Sequence, residues 1–576
     1  MSDSFSKIIQ ELNNKNFNKA LELLEEYPVD TEPHIFNNLK GIIFINLKNH
    51  SKAIECFKKS LNYKENYIDA YLNLANVYFS NKNISKSIDI VGKALNYEPK
   101  NKKLNFNLAF FFSESHQYQK AIKQYHEVIK LGYNKEIILN NIGNIYIKEK
   151  NYLKAKEYFL ECLKINPSNH LTINNLIRSL ILKKDFAEAE KYQKKSDKLE
   201  IKNNIYYINK AELFFFYKKY EEAIGILTEF CENHKNDIGS QISLSLIYSN
   251  LGKFENSYKL IEKVYKLNPE HNTLCLIYSM NLLKQGNFKK GWELYDKSLQ
   301  IIDNYYSNLP FWKGEDLNKK KIIVYEDQGI GDSIQFSKFL FFLDKLCNDI
   351  RVEVRESAVS FFQKNILNLK IYKKGFNFNS NCDYKISFAS LNKFFYENKN
   401  KQQKKLFKID QEIIKKWFKE INSKKLKVGL AWSGSLHGVN EPYRSVEIKN
   451  FEKILSLDCD FVCLQKDIWD RDKKYFQGSK IKYLGDKNFL ETAAIIENLD
   501  LVISTDTSIL HLSSTLEKLT WGLISFNAEW RWWMYNKPAF YKKLIEYKQI
   551  NFDNWDDVLN DVYIDLKKLI EEKKSI

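Results

Sequence analysis

The rarest charged side chains in the second half of the chain follow predicted strands. Only two of the nine histidines lie beyond residue 300, His437 and His511, and both come directly after such strands. Arg444 and Arg531, two of only six arginines among 89 basic residues, lie in similar segments. A single histidine is more often a packed or surface residue. Because ligands of α/β proteins bind at the carboxyl ends of parallel strands, this grouping favours a functional site.

A glycine-rich turn follows the first predicted strand. In the sequence DQGIGD (327–332) the glycines Gly329 and Gly331 let the backbone come close to a ligand, and the turn opens a helix whose N–H groups favour anions. Asp332 also begins an Asp-x-x-Gln pattern with Gln335, which is the pattern of a capping box. The acid at position 332 therefore has two explanations, catalysis and helix capping.

The sequence STDTS (504–508) follows another predicted strand and opens a helix that carries His511 on its first turn. Asp506, Thr507 and Ser508 are residue types preferred at helix N-caps, so capping alone would explain them. The start of a helix also binds phosphate, and one structure can serve both purposes. His511, four positions after Thr507, shares its helix face.

A third candidate loop follows the strand that ends at Trp432. It contains Ser433, Gly434 and His437, and Arg444 closes it. As with the two preceding loops, its position after a strand places it where an α/β protein binds its ligand.

Strands and helices alternate in the whole region after residue 320. The strands are predicted at 321–326, 350–354, 384–388, 427–432, 461–465, 499–504 and 520–525. The helices are predicted at 333–346, 357–367, 411–421, 450–455, 490–498, 508–516 and 555–572. This order indicates right-handed crossovers in parallel sheets, and a polar interruption near 397–405 divides the region into two doubly wound sheets.

A 34-residue period precedes this region. Small residues recur at Ala53, Ser87, Ala121, Ala155, Ala189, Ala223, Ser257 and Gly291. Twelve residues ahead runs a second series of Gly41, Ala75, Ala109, Gly143, Ala211, Ser245 and Ser279, with Ile177 as the bulky exception. Aromatic residues stand three positions before most of the first series, at Tyr118, Tyr152, Phe186, Tyr220, Phe254 and Phe288, and Phe17 stands at the same place in the first repeat. The pattern predicts roughly nine helical hairpins in which two helices approach closely, and it resembles the tetratricopeptide repeat over residues 1–301.

Composition excludes several classes of protein. A chain of 576 residues exceeds what one core usually organises, and no run of eighteen apolar residues predicts a membrane span. The net charge of +17 would attract nucleic acid, but it comes almost entirely from lysine spread over every repeat, and no nucleic-acid-binding signature accompanies it. The eight cysteines form no C-x-x-C pair, so we expect reduced, mostly buried thiols and a cytoplasmic protein.

Five pieces of sequence carry a second resemblance. They are, in order, QGIGDSIQF, VGLAWSGSLH with PYRS, FVCLQK, LETAAIIENLDLVISTDTSILHL and EWRWW. Together they resemble the glycosyltransferase domain attached to tetratricopeptide repeats in many bacterial proteins, which is akin to the heptosyltransferase family (glycosyltransferase family nine). The architecture is also similar to that of O-linked N-acetylglucosamine transferase. The resemblance implies a two-lobed GT-B fold over most of residues 310–575, with two doubly wound parallel sheets.

The resemblance also implies a reaction, the transfer of a sugar from a nucleotide donor without a fixed metal ion or other cofactor. The helix start at Thr507 and Ser508 and the loop at Ser433 would then hold the diphosphate, with Arg444 as the cationic partner. A lysine commonly stands near that last position in heptosyltransferases, so the arginine is a departure in residue type.

Other roles follow from the same motifs. Asp332 matches the acid proposed as general base in heptosyltransferases, which takes a proton from the acceptor hydroxyl. Asp506 is expected at sugar or ribose hydroxyls, because a carboxylate repels phosphate. His511 would reach the diphosphate or the donor sugar, and Gln465 and Lys466 would border the nucleotide. The full set of predicted donor-binding residues is Gly331, Ser433, Gly434, His437, Arg444, Gln465, Lys466, Asp506, Thr507, Ser508 and His511.

Two further motifs have simpler explanations. Asp470, Arg471 and Asp472 have the spacing of the D-x-D metal motif, but that motif belongs with a different fold, and the stretch is predicted to begin an exposed helix. The aromatic stretch 530–533 could stack a base or a sugar. A hydrophobic anchor that joins the two lobes is the favoured alternative.

The leading hypothesis is a glycosyltransferase whose repeats (1–301) dock a protein acceptor on their concave face, so that a Ser or Thr of the acceptor is modified. A connecting segment (302–320) would lead to an acceptor-side lobe (321–410) and a nucleotide-sugar-binding lobe (411–576). One alternative keeps the chemistry but uses lipopolysaccharide core or another cell-envelope glycan as acceptor. A second alternative is a non-catalytic scaffold for protein–protein interaction.

Overall fold

The structure, a computed structural model, describes residues 3–26, 32–302, 309–375, 381–396, 405–434, 444–533 and 540–574. Within these residues eighteen helices in consecutive pairs precede residue 303, as the nine predicted hairpins require. They are α1 (Asp3–Asn13), α2 (Phe17–Glu25), α3 (Pro33–Asn46), α4 (His50–Tyr63), α5 (Ile68–Ser80), α6 (Ile84–Tyr97), α7 (Lys102–Glu114), α8 (Tyr118–Lys130), α9 (Lys135–Lys148), α10 (Tyr152–Ile165), α11 (His170–Lys183), α12 (Phe186–Ser196), α13 (Asn204–Phe216), α14 (Tyr220–Asn233), α15 (Ile238–Asn250), α16 (Phe254–Leu267), α17 (Asn272–Lys284) and α18 (Phe288–Ile302).

The chain divides into two compact units, Met1–Ala223 and Ile224–Ile576. The first unit shows why the small residues recur. Gly41 faces the ring of Phe57, and a Cβ at position 41 would lie 2.5 Å from that ring. Ser87 donates a hydrogen bond of 2.9 Å from Oγ to the carbonyl oxygen of Ala75, twelve residues earlier. The two series of small residues therefore let the helices of a hairpin touch, as predicted.

The turn inside a hairpin uses a left-handed residue. In the first unit this residue is almost always lysine, with φ of 59° at Lys48 and 60° at Lys82, whereas glycine takes the place in the second unit at Gly252 and Gly286. An L-residue with a side chain is disfavoured in this conformation. The first-unit residues concerned are Lys15, Lys48, Lys82, His116, Lys150, Lys184 and Lys218.

The second unit contains a sheet of four parallel strands in the order β3-β2-β1-β4. Ile322 of the central strand β1 pairs with Ile350 on one side and with Tyr384 on the other. Runs of buried Ile and Val in β1 and β2 match a sheet that is covered on both faces. The elements are β1 (Lys321–Tyr325), α19 (Ile330–Phe336), α20 (Leu340–Leu343), β2 (Asp349–Val354), α21 (Glu356–Phe362), β3 (Lys370–Lys373), β4 (Tyr384–Ser387) and α22 (Asn392–Phe395).

A second parallel sheet follows, with five strands in the order β6-β5-β7-β8-β9. All neighbouring pairs in both sheets are parallel, which is consistent with the predicted GT-B arrangement. The elements are α23 (Gln411–Ile421), β5 (Leu426–Ala431), α24 (Glu452–Leu455), β6 (Cys459–Cys463), α25 (Asp470–Gln477), α26 (Phe489–Glu497), β7 (Leu501–Thr505), α27 (Ser508–Thr515), β8 (Thr520–Ile524), β9 (Leu544–Lys548) and α28 (Asp556–Lys574).

The structure confirms the fold class, a tetratricopeptide-repeat solenoid followed by an α/β part with two parallel sheets, and it confirms all seven predicted strands to within two residues. Two strands, β3 and β9, were not predicted. The helix predicted at 333–346 is broken, because α19 ends at Phe336 and a 3₁₀ turn separates it from α20. The polar interruption at 397–405 lies almost wholly outside the described residues.

All eight cysteines are free thiols, and six of them are buried. In the part of the chain that the structure describes, no helix is long and apolar enough to cross a membrane.

Candidate functional site

One cavity of about 420 Å³ lies where the loops after β1, β5, β6 and β7 converge. A volume of this size is typical of sites for small molecules. The predicted site residues in its wall are Gly331, Asp332, Ser433, Gly434, Arg444, Gln465, Lys466, Asp506, Thr507, Ser508 and His511. His437 lies outside the described residues. The four loops chosen from sequence therefore meet at one place, although they follow strands of two different sheets.

The starts of α19 and α27 touch in the wall of this cavity. A Cβ at Gly331 would stand 2.9 Å from Cδ2 of His511 and 3.3 Å from the Cα of Ser508. Thr507 is the N-cap of α27, and its Oγ1 accepts a hydrogen bond of 3.3 Å from the N–H of Ile509. The glycine at 331 is thus required for contact between two helices, one from each sheet, besides lining the cavity.

Asp332 is paired with a buried arginine. Arg531, whose side chain is 4% exposed, donates from Nη2 to Oδ1 of Asp332 at 2.5 Å and from Nη1 to Oε1 of Gln335 at 2.6 Å. The other oxygen of Asp332 accepts from the N–H of Gly329 at 3.1 Å. The predicted capping box headed by Asp332 is wrong. Gly329 is the N-cap, because the helix begins at Ile330, and Gln335 contacts Arg531 instead.

Arg531 has a second acidic partner, Glu529, to which Nη2 also donates a hydrogen bond. Burial works to lower the pKa of the Arg531 guanidinium, but the charges of Asp332, Glu529 and Asp506 hold that pKa above its ordinary value. The guanidinium is therefore a permanent buried cation shared among three carboxylates.

Asp506 is also held in the wall by direct contacts. Trp532 donates from Nε1 to Oδ2 of Asp506 at 2.8 Å, and Nε2 of His511 lies 3.4 Å from Oδ1. Burial works to raise the pKa of Asp506, but the hydrogen bond and charge of His511 and the charges of Arg531 and Arg444 hold that pKa well below its usual range. Asp506 is therefore a fixed carboxylate and an acceptor of hydrogen bonds.

His511 is oriented by its neighbours on both ring nitrogens. Nδ1 lies 2.9 Å from the hydroxyl of Tyr541, opposite the contact of Nε2 with Asp506. The ring stacks on Trp532, with centroids 6.0 Å apart, and only 3% of the residue is exposed. This arrangement places the imidazole as a support for Asp506, since neither nitrogen points freely into the cavity.

The loop after β5 is held by Gln465. Oε1 of Gln465 accepts from the N–H groups of Trp432 and Ser433 at 3.1 and 2.9 Å, and Nε2 donates to Oγ of Ser433 at 2.6 Å. The N–H of Gly434 donates to Oγ of Ser445 at 3.2 Å. Gln465 therefore shapes the loop, and it is Lys466, next in the chain and exposed, that offers a charge to the cavity.

The stretch 470–472 and the aromatic stretch 530–533 both make contacts that stabilise the fold. Helix α25 begins at Asp470 as predicted, but Asp472 is buried, accepts hydrogen bonds from Nε1 of Trp432 and the N–H of Ile448, and has a pKa raised by that burial. The exposed position predicted for Asp472 is wrong. Trp530 is 2% exposed and packs on Trp292 and Phe336, as an anchor would.

Several cavity residues were absent from the predicted set, and three of them form ion pairs. Arg531, Glu529 and Arg355 all line the cavity. The rarity of arginine drew attention to Arg531, yet nothing in the sequence connects it with Asp332, 199 positions earlier. Arg355 follows β2 directly and pairs with the buried Glu326 at 2.5 Å, so its place after a strand was the signal that could have found it.

Family models match the repeats. A model described as TPR repeat matches residues 41–82, and models described as tetratricopeptide repeat match 68–101, 137–169 and 238–271. A TPR repeat-containing protein of Methanocaldococcus jannaschii is 32% identical over 85 residues, which cover 14% of this chain and 26% of that protein. The chain thus matches about a quarter of the length of this relative.

Solved structures match as well. The pilF protein of Pseudomonas aeruginosa is 18% identical and covers 36% of this chain and 95% of its own, with a TM-score of 0.31. A tetratricopeptide repeat protein of Parabacteroides merdae is 17% identical and covers 47% of this chain and 94% of its own, also with a TM-score of 0.31. The helix pairs and the matching family models together show that the N-terminal part consists of tetratricopeptide repeats, a scaffold for protein–protein interaction.

Proposed function

We propose that the α/β part is a metal-independent nucleotide-sugar glycosyltransferase and that the repeats dock its protein acceptor. One observation carries the proposal: a single cavity brings the start of α27, with Arg444 and Lys466, together with the acid Asp332 of the other sheet. A sugar diphosphate needs positive charge and free N–H groups on one side, and its acceptor needs a proton acceptor on the other.

In the proposed reaction the acceptor hydroxyl oxygen attacks the anomeric carbon of the sugar. The bond from that carbon to the diphosphate oxygen breaks, and the diphosphate leaves with the electron pair. Its charge is stabilised by the N–H groups at Thr507 and Ser508, by the positive end of α27 and by Arg444. The hydroxyl proton passes to Asp332.

The ion pair of Asp332 with Arg531 is part of this proposal. A protonated Asp332 would lose most of its attraction for the guanidinium. Arg531 keeps Glu529 as a partner in that step, so the buried cation stays compensated. Asp506, supported by Trp532 and His511, would accept hydrogen bonds from sugar or ribose hydroxyls.

The test uses the full chain with a panel of nucleoside diphosphates and nucleotide sugars. We expect one of them to raise the melting temperature, and its labelled sugar to be transferred to Ser or Thr of a partner protein in a cytoplasmic extract. D332N and D506N should abolish labelling. The matched control is D470N, because the side chain of Asp470 is 95% exposed and pairs only with the surface Lys473 in the contacts seen. Full activity in both D332N and D506N would refute the assigned roles.

A second candidate is a scaffold whose α/β part has no catalytic activity. The observation that favours it is that each carboxylate oxygen of Asp332 and Asp506 already has a partner within the protein, as residues with a structural role do. In that case no nucleotide or nucleotide sugar would raise the melting temperature.

If the enzyme is active, mass spectrometry of the labelled product would distinguish a protein acceptor from a cell-envelope glycan.

A further inference from the structure

Residues 526–533, here called the 526–533 segment, follow β8 and connect several parts of the second unit. Its consecutive residues point to different elements. Trp530 packs on Trp292 of the last repeat helix, Arg531 pairs with Asp332, and Trp532 donates to Asp506. The two acids of the cavity wall are therefore both held by one short stretch of chain.

The other end of the segment is attached to the last repeats by Asn527. The amide of Asn527 donates from Nδ2 to Oδ1 of Asn250 at 2.8 Å, and its Oδ1 accepts from Nζ of Lys284 at 2.7 Å. Asn250 ends α15 and Lys284 ends α17, so the amide connects two repeat helices to the α/β part. Both functional groups of this one side chain are engaged with the repeats.

Aromatic rings reinforce the attachment. Phe526 stacks on Phe254 of α16 with centroids 6.1 Å apart, and Trp533 meets the same ring edge-on at 4.6 Å. Nζ of Lys284 lies 5.6 Å from the centroid of Trp533, which adds a cation–π contact. Burial lowers the pKa of Lys284 to about 8, although the charge of Glu529 opposes the shift. Gly252 leaves the room that Phe526 fills, since a Cβ there would lie 2.9 Å from its ring.

We propose that Lys284 and Asn527 are positioning residues for the cavity: by fixing the 526–533 segment on the repeats they set where Arg531 and Trp532 hold Asp332 and Asp506. The separation along the chain is short, and residues 530–532 form a 3₁₀ turn. Nε1 of Trp533, which follows the turn, donates to the carbonyl oxygen of Ala528 at 2.8 Å, so a shift of Asn527 is passed on to Arg531 and Trp532. A site is held in its working geometry by such supporting contacts. The inference concerns the cavity whatever its ligand, and so it goes beyond the proposed function.

The experiment is hydrogen–deuterium exchange on the full-length chain, compared between wild type and N527A without any ligand. The amides of α19 and α27 should exchange about fivefold faster in N527A, because Arg531 and Trp532 lose their fixed positions next to Asp332 and Asp506. The matched control is N498A, which removes two hydrogen bonds from an asparagine amide to the carbonyl oxygens of Ile414 and Ala494. N498A should leave α19 and α27 close to wild type.

Equal exchange of α19 and α27 in N527A and N498A would overturn the inference. The variant K284M removes the hydrogen bond between Lys284 and Asn527 from the side of the repeats. If N527A fails to fold, K284M replaces it in the experiment. If uridine diphosphate binds the wild type, its dissociation constant should rise at least about fivefold in N527A relative to N498A. If no nucleotide binds the wild type, the proposed function fails, but the exchange experiment still decides the role of Asn527.

Discussion

The contact between α19 and α27 gives the sharpest test of the site, through the substitution Gly331→Ala. The new methyl group would stand 2.9 Å from Cδ2 of His511 and 3.3 Å from the Cα of Ser508. Neither neighbour can easily move. His511 is held by Tyr541 and Asp506, and the Cα of Ser508 belongs to the backbone. Inserting a methyl group into such a contact costs about 1–3 kcal/mol, and it should force the two helices apart.

Gly329→Ala is the matched control, two positions away. Its φ of −78° is ordinary for an L-residue, and the added Cβ would meet only Oδ2 of Asp332, at 3.2 Å. We expect its stability to stay within about 1 kcal/mol of wild type, since alanine also restricts the unfolded chain. Urea unfolding, followed by hydrogen exchange of α19 and α27, measures both variants. If G331A and G329A unfold at the same urea concentration, the close contact between α19 and α27 does not exist in solution.

Three further predictions concern other parts of the chain. R531M should lower the free energy of unfolding by about 3 kcal/mol because it leaves Asp332 without its cation, and the double variant R531M/D332N should recover part of that loss in thermal melts, since Glu529 also loses its cation. K82G should stabilise the repeats by about 1 kcal/mol, since φ at Lys82 is 60°, whereas G286A, at a φ of 79°, should destabilise them by a similar amount in urea titrations. Burial raises the pKa of Asp327 to about 6, although a hydrogen bond from a tyrosine opposes it. The folded state therefore binds more protons than the unfolded state between about pH 4 and 6, and stability should fall by up to about 3 kcal/mol as pH rises through this window. D327N should remove that part of the pH dependence, and an unchanged pH profile would contradict the assignment.

The parts of the fold that repeat or alternate could be predicted from sequence. The period of 34 gave the hairpins, because small residues must recur wherever two helices touch. Buried strands such as β1 gave continuous apolar runs. The strands β3 and β9 gave no such runs, because each lies at the edge of its sheet and is only half buried, with a charged residue at one or both ends.

The candidate site could be predicted only loop by loop. Parallel strands end at the same edge of a sheet, so residues such as Ser433 and Asp506 were expected to lie near each other. Contacts across the two sheets could not be inferred, and the pair of Asp332 with Arg531 is the clearest case. The sequence placed the start of α19 at residue 333, three residues too late. Asp332, which is the third residue of the helix, was therefore taken for its N-cap. Gln465 was assigned to the nucleotide because its position after a strand does not reveal that its amide is used by the loop of Ser433.

The long separation between Asp332 and Arg531 has a consequence for how the protein is made. Each repeat pairs helices that are neighbours in sequence, so the repeats can fold while the ribosome is still translating the rest. The cavity cannot form at that stage, because Arg531 is the last of its wall residues to be synthesised. Nascent chains that have not yet reached residue 531 would hold folded repeats but an open, unpaired Asp332. The repeats would thus be complete well before the cavity of the α/β part.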